Sequence, residues 1–217
     1  MKAFRKKLGA SMLMLAAFAL WTAAVCCVDV QSIGPTGTSV GLAGINRFVH
    51  DLTGVHMQLY VITDWLSLIP AGVCMGFGML GLGQWIRRKH LLRVDRSIFV
   101  LGGFYIVVAA VYLLFETIVV NYRPVLVDGL LEPSYPSSTT MLVLCVMSTA
   151  LIQIDFRFGK SVLKKILLFT IVLFVFIMVT FRLISGVHWF TDIVAGALLS
   201  IGLVLLYKAV AFLFINK

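Results

Sequence analysis

Three ionisable side chains stand close together in the stretch FRLISGVHWFTD, between two long apolar runs. Arg182 ends the first run, and His188 and Asp192 open the second. Since His188 and Asp192 are four residues apart, they share one helix face. The carboxylate can then hold the imidazole in one tautomer and raise its basicity. An oriented imidazole beside a guanidinium is suited to chemistry on an anionic group such as phosphate.

A second group of phosphate-compatible residues lies earlier in the chain, again at the ends of apolar runs. Arg123 stands in NYRPV, and a short loop then leads to SYPSSTT. Pro136 suits a first helical turn, and Ser137 or Ser138 suits a helix cap. A helix that begins here points free backbone N–H groups and a positive dipole end outward, which favours an anion. Ionisable residues at membrane depth are costly and usually functional.

The elements that must position these residues are membrane-spanning helices. The chain has 217 residues, of which 61% are hydrophobic and only 12% charged, and its mean hydropathy is +1.05. This balance excludes an ordinary soluble domain and indicates an integral membrane protein. We predict an all-α fold, with residues 1–217 forming a single six-span domain. The predicted spans, each near the length that crosses a bilayer, are Leu8 to Val28, Trp65 to Ile86, Ile98 to Val120, Thr140 to Ile154, Ile166 to Phe181 and Phe190 to Phe214.

The basic residues predict the orientation of these spans. Although the formal net charge of +9 could suggest nucleic-acid binding, the distribution of the charges favours membrane topology and no nucleic-acid partner. Only Arg47, Arg123 and Arg182, of the 18 basic residues, fall in the predicted outer segments. Both termini are therefore predicted to be cytoplasmic. The inner segments hold Lys2, Arg5, Lys6, Lys7, Arg87, Arg88, Lys89, Arg93, Arg96, Arg157, Lys160, Lys164, Lys165, Lys208 and Lys217.

These motifs resemble the membrane-bound type 2 phosphatidic acid phosphatases, within the wider acid phosphatase and vanadium haloperoxidase superfamily. The family pattern has three blocks, K-x6-R-P, P-S-G-H and S-R-x5-H-x3-D. The sequence keeps Arg182, His188 and Asp192 of the third block at the same spacing. It also keeps Arg123 with Pro124, and Pro136 with Ser137. The resemblance covers Glu116 to Asp192, and the six predicted spans agree with the family's architecture.

The resemblance implies a lipid phosphatase that uses no metal and no cofactor. His188 would attack phosphorus to form a phosphohistidine, and Asp192 would orient it. Arg123, Arg182 and the helix start with Ser137 and Ser138 would hold the phosphoryl oxygens. The substrate would be a lipid phosphate or diphosphate, reached from the surrounding membrane lipids at the outer face of a plasma membrane, the inner membrane in bacteria.

Four positions depart from the family pattern: Glu116 replaces lysine, Ser138 glycine, Thr139 histidine and Phe181 serine. Thr139 stands at the catalytic position where the family histidine protonates the leaving group. A threonine hydroxyl is a poor general acid, and losing such an acid costs roughly 10²–10⁴-fold when the leaving group needs a proton. Because a phosphate leaving group hardly needs one, we predict a preference for diphosphates such as a polyprenyl diphosphate. The alternative is an inactivating substitution.

Glu116 allows three interpretations as a modulator of the site. It lies seven residues before Arg123, on the same face of a helix. A buried ion pair could fix Arg123, a carboxyl group with a pKa raised by burial could replace the missing acid, or the carboxylate could recognise a cationic head group.

Other features of the chain leave further alternatives. The protein could be a silent relative that binds lipid phosphates without turnover, or a transferase that passes the phosphoryl group to a lipid acceptor. A transporter fits poorly, since the sequence has no inverted repeat. Asp64 is interpreted as a solvated boundary residue, although it could face the same cavity. The glycines of GFGMLGLG, Gly76 to Gly83, predict close helix packing.

Overall fold

The computed structural model describes residues 2–215, which form eight α-helices and no β-strand. Lys217, one of the basic residues assigned to the inner side, lies outside the described residues. Two short 3₁₀ turns, Pro35–Gly37 and Leu91–Arg93, lie in the connections. The helices are α1 (Lys2–Cys27), α2 (Ala43–Thr53), α3 (Met57–Leu66), α4 (Leu68–Arg88), α5 (Arg96–Thr117), α6 (Ser138–Arg157), α7 (Val162–Ile184) and α8 (Phe190–Ile215).

Six helical segments within residues 2–215 are long and apolar enough to cross a membrane. They are α1, the pair α3 and α4, α5, α6, α7 and α8. The predicted fold class, all-α with six spans, is confirmed. Residues 28–56, 118–137 and 185–189 meet at one end of the bundle, which we call the site rim. Residues 89–95 and 158–161 connect the spans at the other end, the opposite rim.

The helix α8 forms the centre of the bundle. It packs along α1 and also contacts α5 and α6. Buried polar side chains fasten these contacts: Ser11 donates to the Gly202 carbonyl at 2.8 Å, and Gln153 donates to the Tyr207 hydroxyl at 2.6 Å. The first residues of α8 are therefore held on a scaffold that includes the N-terminal helix.

The second span is broken near the site rim. Ser67 separates α3 from α4, and Pro70 follows in the first turn of α4. Proline lacks the N–H that would continue the helical hydrogen-bond ladder, so a helix breaks or bends before it. On the site-rim side of this break, α3 packs against α7.

The glycine-rich part of α4 does not pack closely against a neighbouring helix, so that prediction is wrong for most of it. A Cβ added at Gly76, Gly78 or Gly83 would meet no atom within 4 Å. Gly81 alone among the glycines from Gly76 to Gly83 approaches a partner, with Ile98 Cγ2 at 3.0 Å. The glycines instead leave a cavity of about 460 Å³ between α4 and α5.

Candidate active site

The connection between α5 and α6 holds Arg123 in place. The Arg123 N–H donates to the Glu132 carbonyl at 3.0 Å, and the Ser134 N–H donates to the Asn121 carbonyl at 2.9 Å. These bonds fold residues 118–137 back on themselves. The Arg123 side chain, 9% exposed, then lies with its Nε 2.9 Å from a Glu132 carboxylate oxygen. Sequence reasoning missed Glu132 as the ionic partner of Arg123.

The turn between α7 and α8 positions His188. Gly186 has a φ of +66°, a conformation that glycine adopts without steric cost. A Cβ at Gly186 would lie 2.1 Å from the Gly54 carbonyl oxygen, so the close approach of the two loops also requires glycine. The His56 N–H donates to the Ser185 carbonyl at 2.9 Å. The loop after α2 therefore supports the turn that carries His188.

The contacts of His188 define its protonation state. His188 Nδ1 lies 3.2 Å from the Ser134 carbonyl oxygen, which can only accept a hydrogen bond. His188 Nε2 lies 3.3 Å from an Arg123 guanidinium nitrogen, which can only donate. Both contacts are satisfied when the proton is on Nδ1 and Nε2 carries a free lone pair. These contacts favour a neutral imidazole whose Nε2 carries the lone pair.

The surroundings of His188 also disfavour its charged form. The side chain is 3% exposed, and burial lowers the pKa of His188 well below its ordinary value of 6.5. The positive charges of Arg182 and Arg123 lower the pKa of His188 further, and only the Ser134 carbonyl opposes them. The net effect on the pKa of His188 is therefore a lowering, and the rise expected from a neighbouring carboxylate is not the dominant effect.

Asp192 lies beside His188 but does not hold its proton. The nearest Asp192 carboxylate oxygen is 3.7 Å from His188 Nδ1, too far for a hydrogen bond. That oxygen accepts from the Trp189 N–H at 3.0 Å, and the other accepts from the Asn121 amide at 3.2 Å. The sequence predicts that Asp192 holds His188 in one tautomer. In the structure, the Ser134 carbonyl is the group placed to accept the proton on His188 Nδ1. Asp192 fixes the first turn of α8 and ties it to residues 118–137.

Two guanidiniums lie against one aromatic ring that the sequence reasoning did not single out. The guanidinium carbon of Arg182 is 4.7 Å from the Tyr60 ring centroid, and that of Arg123 is 5.6 Å from it. Arg182, 2% exposed, also donates to the Thr63 hydroxyl at 3.1 Å. Its Nε has no hydrogen-bond partner among residues 2–215. An unpaired buried guanidinium N–H is a donor available to an anion.

Two serines at the start of α6, Ser137 and Ser138, have different roles. Ser137 is the N-cap, with its hydroxyl accepting from the Thr140 N–H at 3.5 Å, and it is fully buried. Ser138 lines a pocket of about 30 Å³ together with Glu116, Arg123 and His188. The structure thus brings Ser138 into the pocket wall, while the Ser137 hydroxyl caps the helix. Pro136 precedes the cap and does not occupy the predicted first helical turn.

Thr139 and Asp64 line a neighbouring cavity of about 430 Å³. This cavity shares Tyr112, Ser138 and Met141 with the pocket that contains His188. Asp64 thus faces a cavity next to the site, as well as being exposed. Thr139 is 9% exposed and lies one residue from the wall that the two spaces share.

Glu116 does not form the buried ion pair that one interpretation required. Its side chain is exposed, and Arg123 pairs with Glu132. Glu116 nevertheless lines the pocket that contains Arg123 and His188. Because the side chain is exposed, the interpretation that depends on burial of the carboxyl group also loses its support. Recognition of a cationic head group by the Glu116 carboxylate stays open.

A buried amide outside the sequence motifs fastens α2 to the start of α8. Asn46 is fully buried. Its amide donates to the Thr191 hydroxyl at 3.0 Å, and its carbonyl accepts from the Thr191 N–H at 3.1 Å. The Trp21 indole donates to the Thr191 carbonyl at 3.1 Å. Two separate parts of the chain therefore fix the helix start that follows His188.

Comparison with known proteins relates part of the chain to a family and the whole chain to a known fold. Residues 116–215 match the PAP2 superfamily, and this range includes Arg123, Arg182, His188 and Asp192. A search of curated proteins finds no match. Among solved structures, the chain is similar in fold to a transmembrane PAP2 type phosphatidylglycerolphosphate phosphatase from Bacillus subtilis. The two are 19% identical with a TM-score of 0.52, over 95% of this chain and 97% of the other. The C-terminal part of the chain therefore resembles the PAP2 superfamily, and the chain shares the fold of a transmembrane PAP2 type phosphatase.

Proposed function

We propose that this protein is a lipid phosphate and diphosphate phosphohydrolase that acts through a phosphohistidine at the extracytoplasmic membrane face. The observation that carries the proposal is the 3.3 Å contact between His188 Nε2 and the Arg123 guanidinium, which requires a lone pair on Nε2 because a guanidinium can only donate. The outward orientation of the site rim is supported by the excess of basic residues in the segments at the opposite rim. Residues 1–217 act as one domain, since the N-terminal helix and α2 both anchor α8.

The first step is attack of His188 Nε2 on phosphorus. The incoming phosphoryl group draws the Arg123 guanidinium from Nε2 onto its oxygens, and Arg182 contributes its unpaired Nε. A P–N bond forms as the bond from phosphorus to the leaving oxygen breaks. Ser138 and the start of α6 add hydroxyl and dipole stabilisation. Positioning and positive charge around the phosphoryl oxygens supply most of the catalysis in phosphoryl transfer.

The second step is hydrolysis of the phosphohistidine. Water attacks phosphorus, the P–N bond breaks, and His188 regains its lone pair as inorganic phosphate leaves. Asp192 keeps the α8 start and the 118–137 loop aligned through both steps. No step requires a metal or a cofactor.

The leaving group decides the substrate preference. Thr139 lines the cavity next to the His188 pocket, where the leaving group would lie, and its hydroxyl is a poor general acid. A lipid monophosphate leaves from a lipid diphosphate without needing that acid, whereas a lipid alkoxide leaves from a monoester only with a proton. Diphosphates, such as a polyprenyl diphosphate, are therefore the favoured substrates.

Phosphate release from a panel of lipid monophosphates and diphosphates tests the proposal. The purified protein in detergent is expected to release phosphate faster from a polyprenyl diphosphate than from phosphatidate. His188→Ala serves as the blank and is expected to abolish release from both. Faster turnover of the monoester would contradict the diphosphate preference, while equal release by His188→Ala would contradict the phosphohistidine.

A second candidate function is a silent lipid-phosphate binder, favoured by the presence of threonine at position 139. Trapping of labelled phosphoenzyme after a brief exposure to substrate separates the two functions. If the unmodified protein becomes labelled and His188→Ala does not, the result supports the phosphohydrolase. Lipid binding without a label supports the binder. Recovery of the label on a lipid acceptor, and not as inorganic phosphate, would instead indicate a phosphoryl transferase.

A further inference from the structure

Another cavity lies far from the candidate active site, at the other ends of α6, α7 and α8. Its volume is about 630 Å³, within the range of ligand pockets in proteins. The walls are mainly apolar and include Ile152, Phe156, Leu168 and Val172. Two lysines, Lys7 of α1 and Lys208 of α8, also line it.

The position of this cavity places it at the opposite rim. Asp192 and Lys208 are 16 residues apart on the same helix, α8, which corresponds to roughly 24 Å at 1.5 Å per residue. The hydrocarbon core of a bilayer is about 30 Å thick. The cavity therefore opens at the membrane boundary across from His188, and its ligand is not the substrate bound at the site rim.

The charges that line the cavity favour an anion. Within residues 2–215, neither Lys7 nor Lys208 forms an ion pair with a carboxylate. The Lys7 ammonium lies 5.2 Å from the Phe212 ring centroid, which directs it toward the cavity wall. Asp155, the acidic residue in the lining, is paired with Lys164 at 2.7 Å. The cavity thus combines two uncompensated ammonium groups with an acidic residue that is already neutralised.

We propose that this cavity binds an anionic phospholipid of the membrane. The two ammonium groups bind the lipid phosphate, and an acyl chain lies along Leu168 and Val172 of α7. Basic pockets between membrane-spanning helices bind anionic head groups in this way, and the apolar walls favour a lipid over free phosphate. The site is independent of the proposed function, because it shares no lining residue with the pocket around His188.

Native mass spectrometry of the purified full-length protein tests this site. Every protein carries Arg123→Gln so that the candidate active site retains less lipid. The Arg123→Gln protein without further changes, called the parent, is titrated with phosphatidylglycerol and with phosphatidylcholine of the same acyl chains. One molecule of phosphatidylglycerol is expected to bind more tightly than phosphatidylcholine does. Lys7→Gln with Lys208→Gln is expected to weaken that binding by roughly 25-fold, since each basic residue near an anionic lipid contributes roughly fivefold.

A matched pair of variants controls for general loss of positive charge. Lys89→Gln with Lys160→Gln removes two exposed lysines at the same rim that do not line the cavity, and it is expected to bind phosphatidylglycerol like the parent. Equal weakening in both pairs would overturn the proposal. Equal binding of phosphatidylcholine, or competition by inorganic phosphate at the concentration of the lipid, would also overturn it. Size-exclusion profiles check that each variant is folded.

Discussion

The guanidinium of Arg182 lies 4.7 Å from the centroid of the Tyr60 ring, and Arg123 contacts the same ring at 5.6 Å. Two like charges near one anion site repel each other when no substrate is bound. The negative face of an aromatic ring offsets part of that repulsion and holds both groups where a phosphoryl oxygen would meet them. Tyr60 therefore acts as a positioning residue for the proposed phosphate site.

Replacement of Tyr60 should separate the role of the ring from that of the hydroxyl. Tyr60→Phe keeps the ring and is expected to retain most of kcat/KM. Tyr60→Leu loses contacts worth about 0.5–2 kcal/mol per cation, so its kcat/KM is expected to fall at least about fivefold. Phosphate release from a lipid diphosphate gives both values, with thermal unfolding in detergent as a check on folding. Equal activity of the two variants would rule out a role for the ring.

The protonation of His188 should respond to the charge of Arg123. Because burial and two guanidiniums lower the pKa of His188 well below 6.5, the neutral nucleophile persists below that pH. Activity is expected to fall only when the pH drops through this lowered pKa and the imidazole gains a proton. Arg123→Gln removes one cation, so the pKa of His188 rises and the acidic limb of the pH–rate profile moves to higher pH.

Imidazole resonances in NMR titrations measure this shift without depending on activity, and His188→Gln assigns the signal. Arg47→Gln is the matched control, since Arg47 is an exposed residue of α2 at the site rim and is not among the groups that lower the pKa of His188. The pKa of His188 is expected to rise in Arg123→Gln and to stay unchanged in Arg47→Gln. A pKa near 6.5 in the unmodified protein would contradict the structure of the site.

The anchor between α2 and α8 should contribute measurably to stability. Asn46→Ala leaves the Thr191 N–H unpaired in a buried position, and such a loss costs about 1–3 kcal/mol. Thr191→Val removes the hydroxyl that accepts from Asn46. Because the two side chains share one interaction, the double variant is expected to lose less stability than the two single losses combined. Fully additive losses of unfolding free energy would show that the contact is not stabilising.

Sequence reasoning anticipated the spans and the meeting of Arg123 with His188 because both depend on local signals. Apolar length defines the helices, and residues at the ends of consecutive antiparallel helices return to the same rim. Tyr60, Asn46 and Glu132 were missed because their roles depend on which loops touch, and no motif records such contacts. The prediction of close helix packing at the glycines of α4 was wrong for a related reason. Small residues permit close packing, but only the arrangement of α4 and α5 decides whether a neighbour fills the space.

The position of Thr139 should control the choice between monoesters and diphosphates. Thr139→His restores an imidazole next to the wall shared by the two cavities, where it can protonate a departing alkoxide. Phosphatidate turnover is expected to rise by at least about tenfold, below the roughly 10²–10⁴-fold typical of an optimally placed acid. Release from a polyprenyl diphosphate is expected to change little, because its leaving group needs no proton. Thr139→Val, which keeps the volume but removes the hydroxyl, is expected to leave both rates near those of the unmodified protein. An equal gain on both substrates in Thr139→His would show that position 139 affects phosphate binding and not the leaving group.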